Sequence, residues 1–135
     1  ILCIVATHDT TDALSFADKI LVIRNGKLIA KNTPEKLYSN PKSAYIASFF
    51  DEINKIPLIE IDSNDNSKKS VLLYPNEIKL TTEEGIKATV VTSYFKGSHY
   101  LIEAILNKIT LFFEHSKKLE TNQQVFLKLI KKTTN

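Results

Sequence analysis

The chain opens on an unbroken apolar run, Ile1-Leu2-Cys3-Ile4-Val5-Ala6, and closes it with Thr7-His8-Asp9. A short run rich in branched residues predicts a strand buried on both faces. Polar, titratable residues at the end of such a strand are where open α/β sheets bind ligands. Thr10 to Asp18 reads as a short amphipathic helix, with Ala13, Leu14 and Ala17 at helical spacing and Asp9 or Thr10 as its N-cap. Two apolar runs, Ile20 to Ile23 and Lys27 to Ala30, flank Asn25-Gly26. That dipeptide predicts a hairpin, because both central residues of a type I′ turn need positive φ. Thr33-Pro34 is an N-cap followed by a proline at the first helical position, and predicts a second helix through Tyr38. Asn40-Pro41 ends it and starts a third helix, Lys42 to about Phe50, with Tyr45, Ile46, Phe49 and Phe50 as its apolar stripe.

After Asp51 to Pro57 the period changes. Leu58 to Ile61 and Val71 to Tyr74 read as strands joined by the polar turn Asp62 to Ser70. Ile86 to Tyr94, Tyr100 to Leu106, Ile109 to Phe113 and Val125 to Ile130 read as further strands, punctuated by Gly85, Lys96-Gly97-Ser98 and Asn107-Lys108. The alternation from Tyr100 to Leu106 predicts a strand with at least one buried face. A series of short strands predicts a small barrel or sandwich, and closing the sheet would hide its edges.

Composition narrows the class. At 135 residues, 43% hydrophobic and 24% charged, the chain is globular. It lacks Met and opens inside an apolar run, which leads us to expect a piece of a longer protein. The opening run is too short to span a bilayer and has no basic flank. The single cysteine, Cys3, makes no internal disulfide and is expected to be a small core residue in a reducing compartment. A net charge of +3, with the excess after Asn54, falls short of the dense basic stripe of a nucleic-acid binder.

The order of strand, Thr7-His8-Asp9, helix, Ala17-Asp18-Lys19-Ile20, and hairpin at Asn25-Gly26 resembles the end of the nucleotide-binding domain of ABC-transporter ATPases. The likeness continues through Thr33-Pro34-Glu35-Lys36-Leu37-Tyr38, Asn40-Pro41 and Ala47-Ser48-Phe49-Phe50, a succession similar to the importer subclass. Downstream, Leu72 to Leu80 and then Gly85 to Tyr100 resemble the TOBE domain, an OB-like β module that follows the nucleotide-binding domain in importer ATPases. Tyr74 stands where that pattern usually has Arg, and Asn76 where it usually has Glu, so ion pairs made by those residues are not carried over.

The resemblance implies an α+β chain in two parts. Residues 1–54 would be the C-terminal remnant of an α/β nucleotide-binding domain, and residues 55–135 an all-β, OB-like TOBE small barrel. It implies a cytoplasmic parent, peripheral on the inner face of the cell membrane, that couples ATP hydrolysis to solute import. That parent would use ATP and Mg, pair with a second copy of itself and drive transmembrane permease subunits, without inserting into the membrane and without binding nucleic acid. By the same resemblance His8 is the switch histidine, which meets the γ-phosphate or holds the attacking water; read alone, it caps a strand or the next helix. Phosphoryl transfer depends mostly on positioning and electrostatic stabilisation, which suits an imidazole at a strand end. Asp9 is expected to cap the helix.

The sequence contains no G-x-x-x-x-G-K-[ST] phosphate loop, no acidic strand end for magnesium and nothing resembling LSGGQ. The chain by itself is therefore expected to be inactive and to hold no cofactor. Neither His99 nor His115 has a ligand partner at metal spacing, and both read as solvated turn residues. Two other functions are open to the β half. One is an oxyanion sensor. The other is an OB-type nucleic-acid binder using Phe112, Phe113, Tyr94 and Phe95 with Lys117-Lys118 and Lys131-Lys132; the simpler reading is that the aromatics fill the barrel and the lysines keep it soluble. Unpaired apolar edges around Ile1 to Ala6 predict self-association.

Overall fold

The computed structural model describes residues 1–130, so Lys131 and Lys132 lie outside the described residues. The chain divides into two compact units, Ile1–Asp51 and Glu52–Asn135. It is mostly β-strand with few helices, and every strand pair is antiparallel.

In the first unit, α1 (Thr10–Phe16) is followed by β1 (Ile20–Arg24), β2 (Lys27–Asn32), α2 (Pro34–Ser39) and α3 (Ala44–Ala47). The local rules read from the sequence operate here. Asn25 and Gly26 take φ of 51° and 73°, the positive values a type I′ turn requires. Thr33 caps α2 by accepting from the Lys36 N–H at 3.4 Å, with Pro34 at the first position. Ser43 caps α3 in the same way, so that helix begins later and is shorter than the apolar stripe suggested. The alternation along β1 buries Val22, which joins Leu37 of α2 and Ile46 of α3 in a small core flanked by Ile20, Ala30 and Phe50. At one edge of this unit the Arg24 guanidinium lies 4.1 Å above the Tyr45 ring.

The opening run departs from expectation. Residues 1–7 form no strand and are exposed, with Ile4 and Val5 at 82% and 75% exposure. A strand is held by its ladder partners, and among the described residues none pairs with 1–6. Cys3, expected in a core, is exposed for the same reason.

The second unit begins with β3 (Asn54–Pro57) and β4 (Ser70–Leu73), which pair with each other. Leu58 to Ile61, read as a strand, is instead a 3₁₀ turn at Leu58–Glu60. Leu58 and Ile61 are half-buried while Ile59 between them is exposed, a spacing of three that suits i,i+3 geometry and not alternation. Tyr74 and Pro75 are fully buried ahead of a second 3₁₀ turn at Pro75–Glu77, where the Glu77 carboxylate accepts from the Tyr74 N–H at 3.0 Å.

Five further strands form one sheet: β5 (Ile78–Thr81), β6 (Ile86–Phe95), β7 (Tyr100–Leu106), β8 (Ile109–His115) and β9 (Gln124–Leu129). Their order is β5-β9-β6-β7-β8. Strands β6, β7 and β8 run as a meander, and β9 returns to lie beside β6, which is a Greek-key order. β5 and β8, at opposite ends of the order, also pack against each other. The core between them includes Ile78, Val90, Ile102, Leu111, Phe113 and Leu127. Two features bend the sheet. The register of β6 against β7 shifts between Val90 and Thr92, a bulge at Val91. Gly85 lets β6 start hard against β9, since a Cβ there would lie 2.6 Å from the Leu127 carbonyl oxygen and 3.0 Å from Thr81 Cγ2. Gly85→Ala is therefore expected to cost about 1–3 kcal/mol as the backbone shifts to make room. The measurement is a urea titration, and an unchanged midpoint would show that β9 yields without strain.

Candidate functional site

His8 sits in a bend between the irregular opening segment and α1, with its side chain exposed. The neighbouring geometry is built by Asp9. Its Oδ1 accepts from the N–H groups of Thr11 at 2.9 Å and Asp12 at 3.2 Å, and its own N–H donates to Thr7 Oγ1 at 2.9 Å. Asp9 is thus the N-cap of α1, in line with the sequence reading. These bonds hold the backbone on either side of His8 while leaving its imidazole unused. Ala13, Leu14 and Ala17 are half-buried, as the predicted stripe requires, and so is Thr10 at the start of the helix. An imidazole held this way can donate to or accept from a ligand, but one side chain does not make a nucleotide site. Among the described residues no three of His, Cys, Asp and Glu come together as a cation site.

The other two histidines lie in the second unit. His99 is in the turn between β7 and β6, where Ser98 Oγ and His99 Nδ1 are 2.8 Å apart and Glu114 Oε1 is 3.5 Å from Nε2. His115 is the last residue of β8, paired with Tyr100, and is not the turn residue expected. Partial burial, then the ammonium groups of Lys117 and Lys79, hold its imidazole below the usual histidine range. Nearby on β6 the Tyr94 hydroxyl donates to Glu103 at 3.1 Å, which raises the phenol above its ordinary value. The aromatics divide: Phe113 is fully buried, whereas Tyr94 and Phe95 are exposed and so do not fill the interior.

Sequence reasoning missed two arrangements. Asn54, placed there at the end of the first part, is buried in the second unit and bonds twice to the Phe112 backbone. Lys79, Lys87 and Lys128 share one outer face around Phe126. Only strand register brings those four together. The alternation of Lys128 with Leu127 and Leu129 was the one visible hint.

No protein-family model matches the chain. It is similar, at 30% identity over 138 aligned residues covering 88% of this chain, to the spermidine/putrescine import ATP-binding protein PotA of Clostridioides difficile (strain 630). The chain is homologous to ABC-importer ATP-binding subunits. Two further proteins of the same name are similar to it: that of Clostridium acetobutylicum at 26% identity over 94% of this chain, and that of Mesomycoplasma hyopneumoniae (strain J) at 27% over 93%. The chain spans 40%, 42% and 32% of the lengths of these importer subunits. Among the described residues no helix is long and apolar enough to cross a membrane.

Proposed function

We propose that the chain is the C-terminal portion of an ABC-importer ATPase. The observation that carries this reading is an order of parts. A histidine-bearing loop, a capped helix, a type I′ hairpin and a second capped helix follow one another as they do in importer ATPases, within a chain homologous to import ATP-binding proteins along most of its length. Residues 1–54 are then the remnant of an α/β nucleotide-binding domain. Residues 55–135 are a TOBE-type small barrel, a reading supported by the Greek-key order and by the packing of β5 on β8.

In this reading His8 is the switch residue. Bound ATP, with its magnesium, supplies the phosphoryl group whose transfer drives import. His8 contributes a hydrogen bond at the reacting end, and Asp9 fixes the loop that presents it. The phosphate loop and the cation ligands belong to other parts of the parent protein. The parent works as a homodimer in the cytoplasm, against permease subunits on the inner face of the membrane. The names of the three relatives support polyamines as the imported solute.

The test is reconstitution of the full-length protein with its permease in proteoliposomes, following phosphate release and labelled putrescine together. ATP-dependent uptake is expected. Hydrolysis without uptake would remove the polyamine assignment, and a full-length protein that releases no phosphate would remove the ATPase itself.

A further inference from the structure

The outer face of β5, β9 and β6 carries charges that the fold does not need. The register sets Lys79 of β5 directly opposite Lys128 of β9. It sets Lys87 of β6 opposite Phe126, the next residue of β9 on the same face as Lys128. Residues facing each other across an antiparallel pair have Cβ atoms about 5 Å apart, and diagonal neighbours lie about 7–8 Å apart. The intervening residues Ile78, Ala88, Val125 and Leu127 are buried, so alternation turns all three lysines outward. Phe126 faces Lys87 on β6 and Thr81 on β5, with Lys79 and Lys128 one step further along the same face, and is 43% exposed. Among the described residues no carboxylate lies within ion-pair distance of any of the three. Like charges set directly opposite each other work against a sheet. The positive field also continues past β5, where Lys79 and Lys117 both act on His115.

We propose that this face docks a short acidic segment of a partner protein, with carboxylates on the three lysines and one apolar side chain on Phe126. Charge complementarity sets the sign of the partner, and the patch sets its length. Glu83 and Glu84 follow β5 and bound the patch at one end; Glu60 and Glu84 both line the groove beside Lys87 and Lys128. A single ring offers no row on which successive bases could stack. A lipid surface is a poorer match, because stable attachment needs a second signal besides a small basic patch. The proposal is independent of nucleotide chemistry.

The experiment is fluorescence anisotropy of the full chain with a fluorescein-labelled peptide carrying glutamates on both sides of one phenylalanine. Saturable binding at low salt is expected, weakening as salt rises. The double variant Lys79→Gln/Lys128→Gln, and separately Phe126→Ser, should each lose about tenfold or more in affinity. Lys128→Gln should melt at the same temperature as the parent or higher, which separates docking from folding. Equal affinity in the variants, or no saturable binding at low salt, would overturn the proposal. Tighter binding of oligothymidylate than of the peptide would assign the face to nucleic acid. Co-sedimentation with anionic vesicles unaffected by competing peptide would assign it to a membrane.

Discussion

His8→Ala in the full-length protein is expected to reduce ATP turnover by about 10²–10³-fold, the usual loss when one group that stabilises a developing charge is removed. Nucleotide affinity should stay nearly constant, because an interaction made in the transition state leaves ground-state binding alone. The structure predicts that the change is local. His8 is exposed, and the loop around it is held by Asp9 through Thr7, Thr11 and Asp12, none of which uses the imidazole. The thermal transition should therefore not move. Asp9→Ala offers the contrast: it removes the cap, and should cost about 1 kcal/mol of stability at this helix. Phosphate release at saturating ATP, set beside equilibrium binding of a fluorescent nucleotide, reads both quantities. Turnover that survives in His8→Ala would detach the imidazole from the chemistry and leave it as an exposed residue of the bend before α1.

The second large effect belongs to Asn54. Its Nδ2 donates to the Phe112 carbonyl and its Oδ1 accepts from the Phe112 N–H, both at 2.7 Å, joining the start of β3 to the middle of β8. Asn54 itself is 3% exposed. Asn54→Leu keeps the volume, removes both bonds and leaves a backbone donor and acceptor facing an apolar group. Each unmet group costs about 1–3 kcal/mol, so a loss of about 2–6 kcal/mol is expected. For a unit of this size that corresponds to a fall of roughly 10–45 °C in Tm. Asn54→Asp keeps the acceptor for the Phe112 N–H but sets a carboxylate against the Phe112 carbonyl, and should rescue none of the second bond. The exposed neighbour Lys55→Ala should stay within about 0.5 kcal/mol. Circular dichroism melts of the four proteins decide the matter, and equal Tm for Asn54→Leu and the parent would show that β3 is held to β8 by packing alone.

What could be read from the sequence was local chemistry. Asn25-Gly26, Thr33-Pro34 and Asp9 each specify their own backbone within a few residues, and each did so in the structure. The alternation along β7 also survived, with Ile102, Ala104 and Leu106 buried. Two strand readings that needed a distant partner failed. Ile1 to Ala6 has the composition of a buried strand, but a strand exists only beside another, and these residues have none to pair with among those described. Leu58 to Ile61 is apolar enough for a strand, yet the ladder with β4 ends as Leu58 donates to the Lys69 carbonyl at 2.9 Å, and the chain then tightens into a 3₁₀ turn. The lysine face was invisible for the same reason. Lys79 and Lys128 are far apart in the chain and become neighbours only through the β5–β9 register. At the candidate site, His8 was legible because it belongs to a local succession of elements, whereas the partners it would need lie elsewhere in a parent protein.

The bulge at Val91 has a consequence for how the second unit can be cut or rewired. One continuous strand pairs with β9 through residues 86–89 and with β7 through residues 89–95. Past the bulge, Ser93 clasps both the N–H and the carbonyl of Leu119, and Thr121 Oγ1 reaches the Val91 carbonyl at 3.1 Å. The segment after β8 is thereby stitched to the same strand that both halves share. No seam runs between those halves, so a protease nick or a permuted terminus inside 86–95 would dissolve the whole module. The turn at 97–99 is the place where new ends would be tolerated.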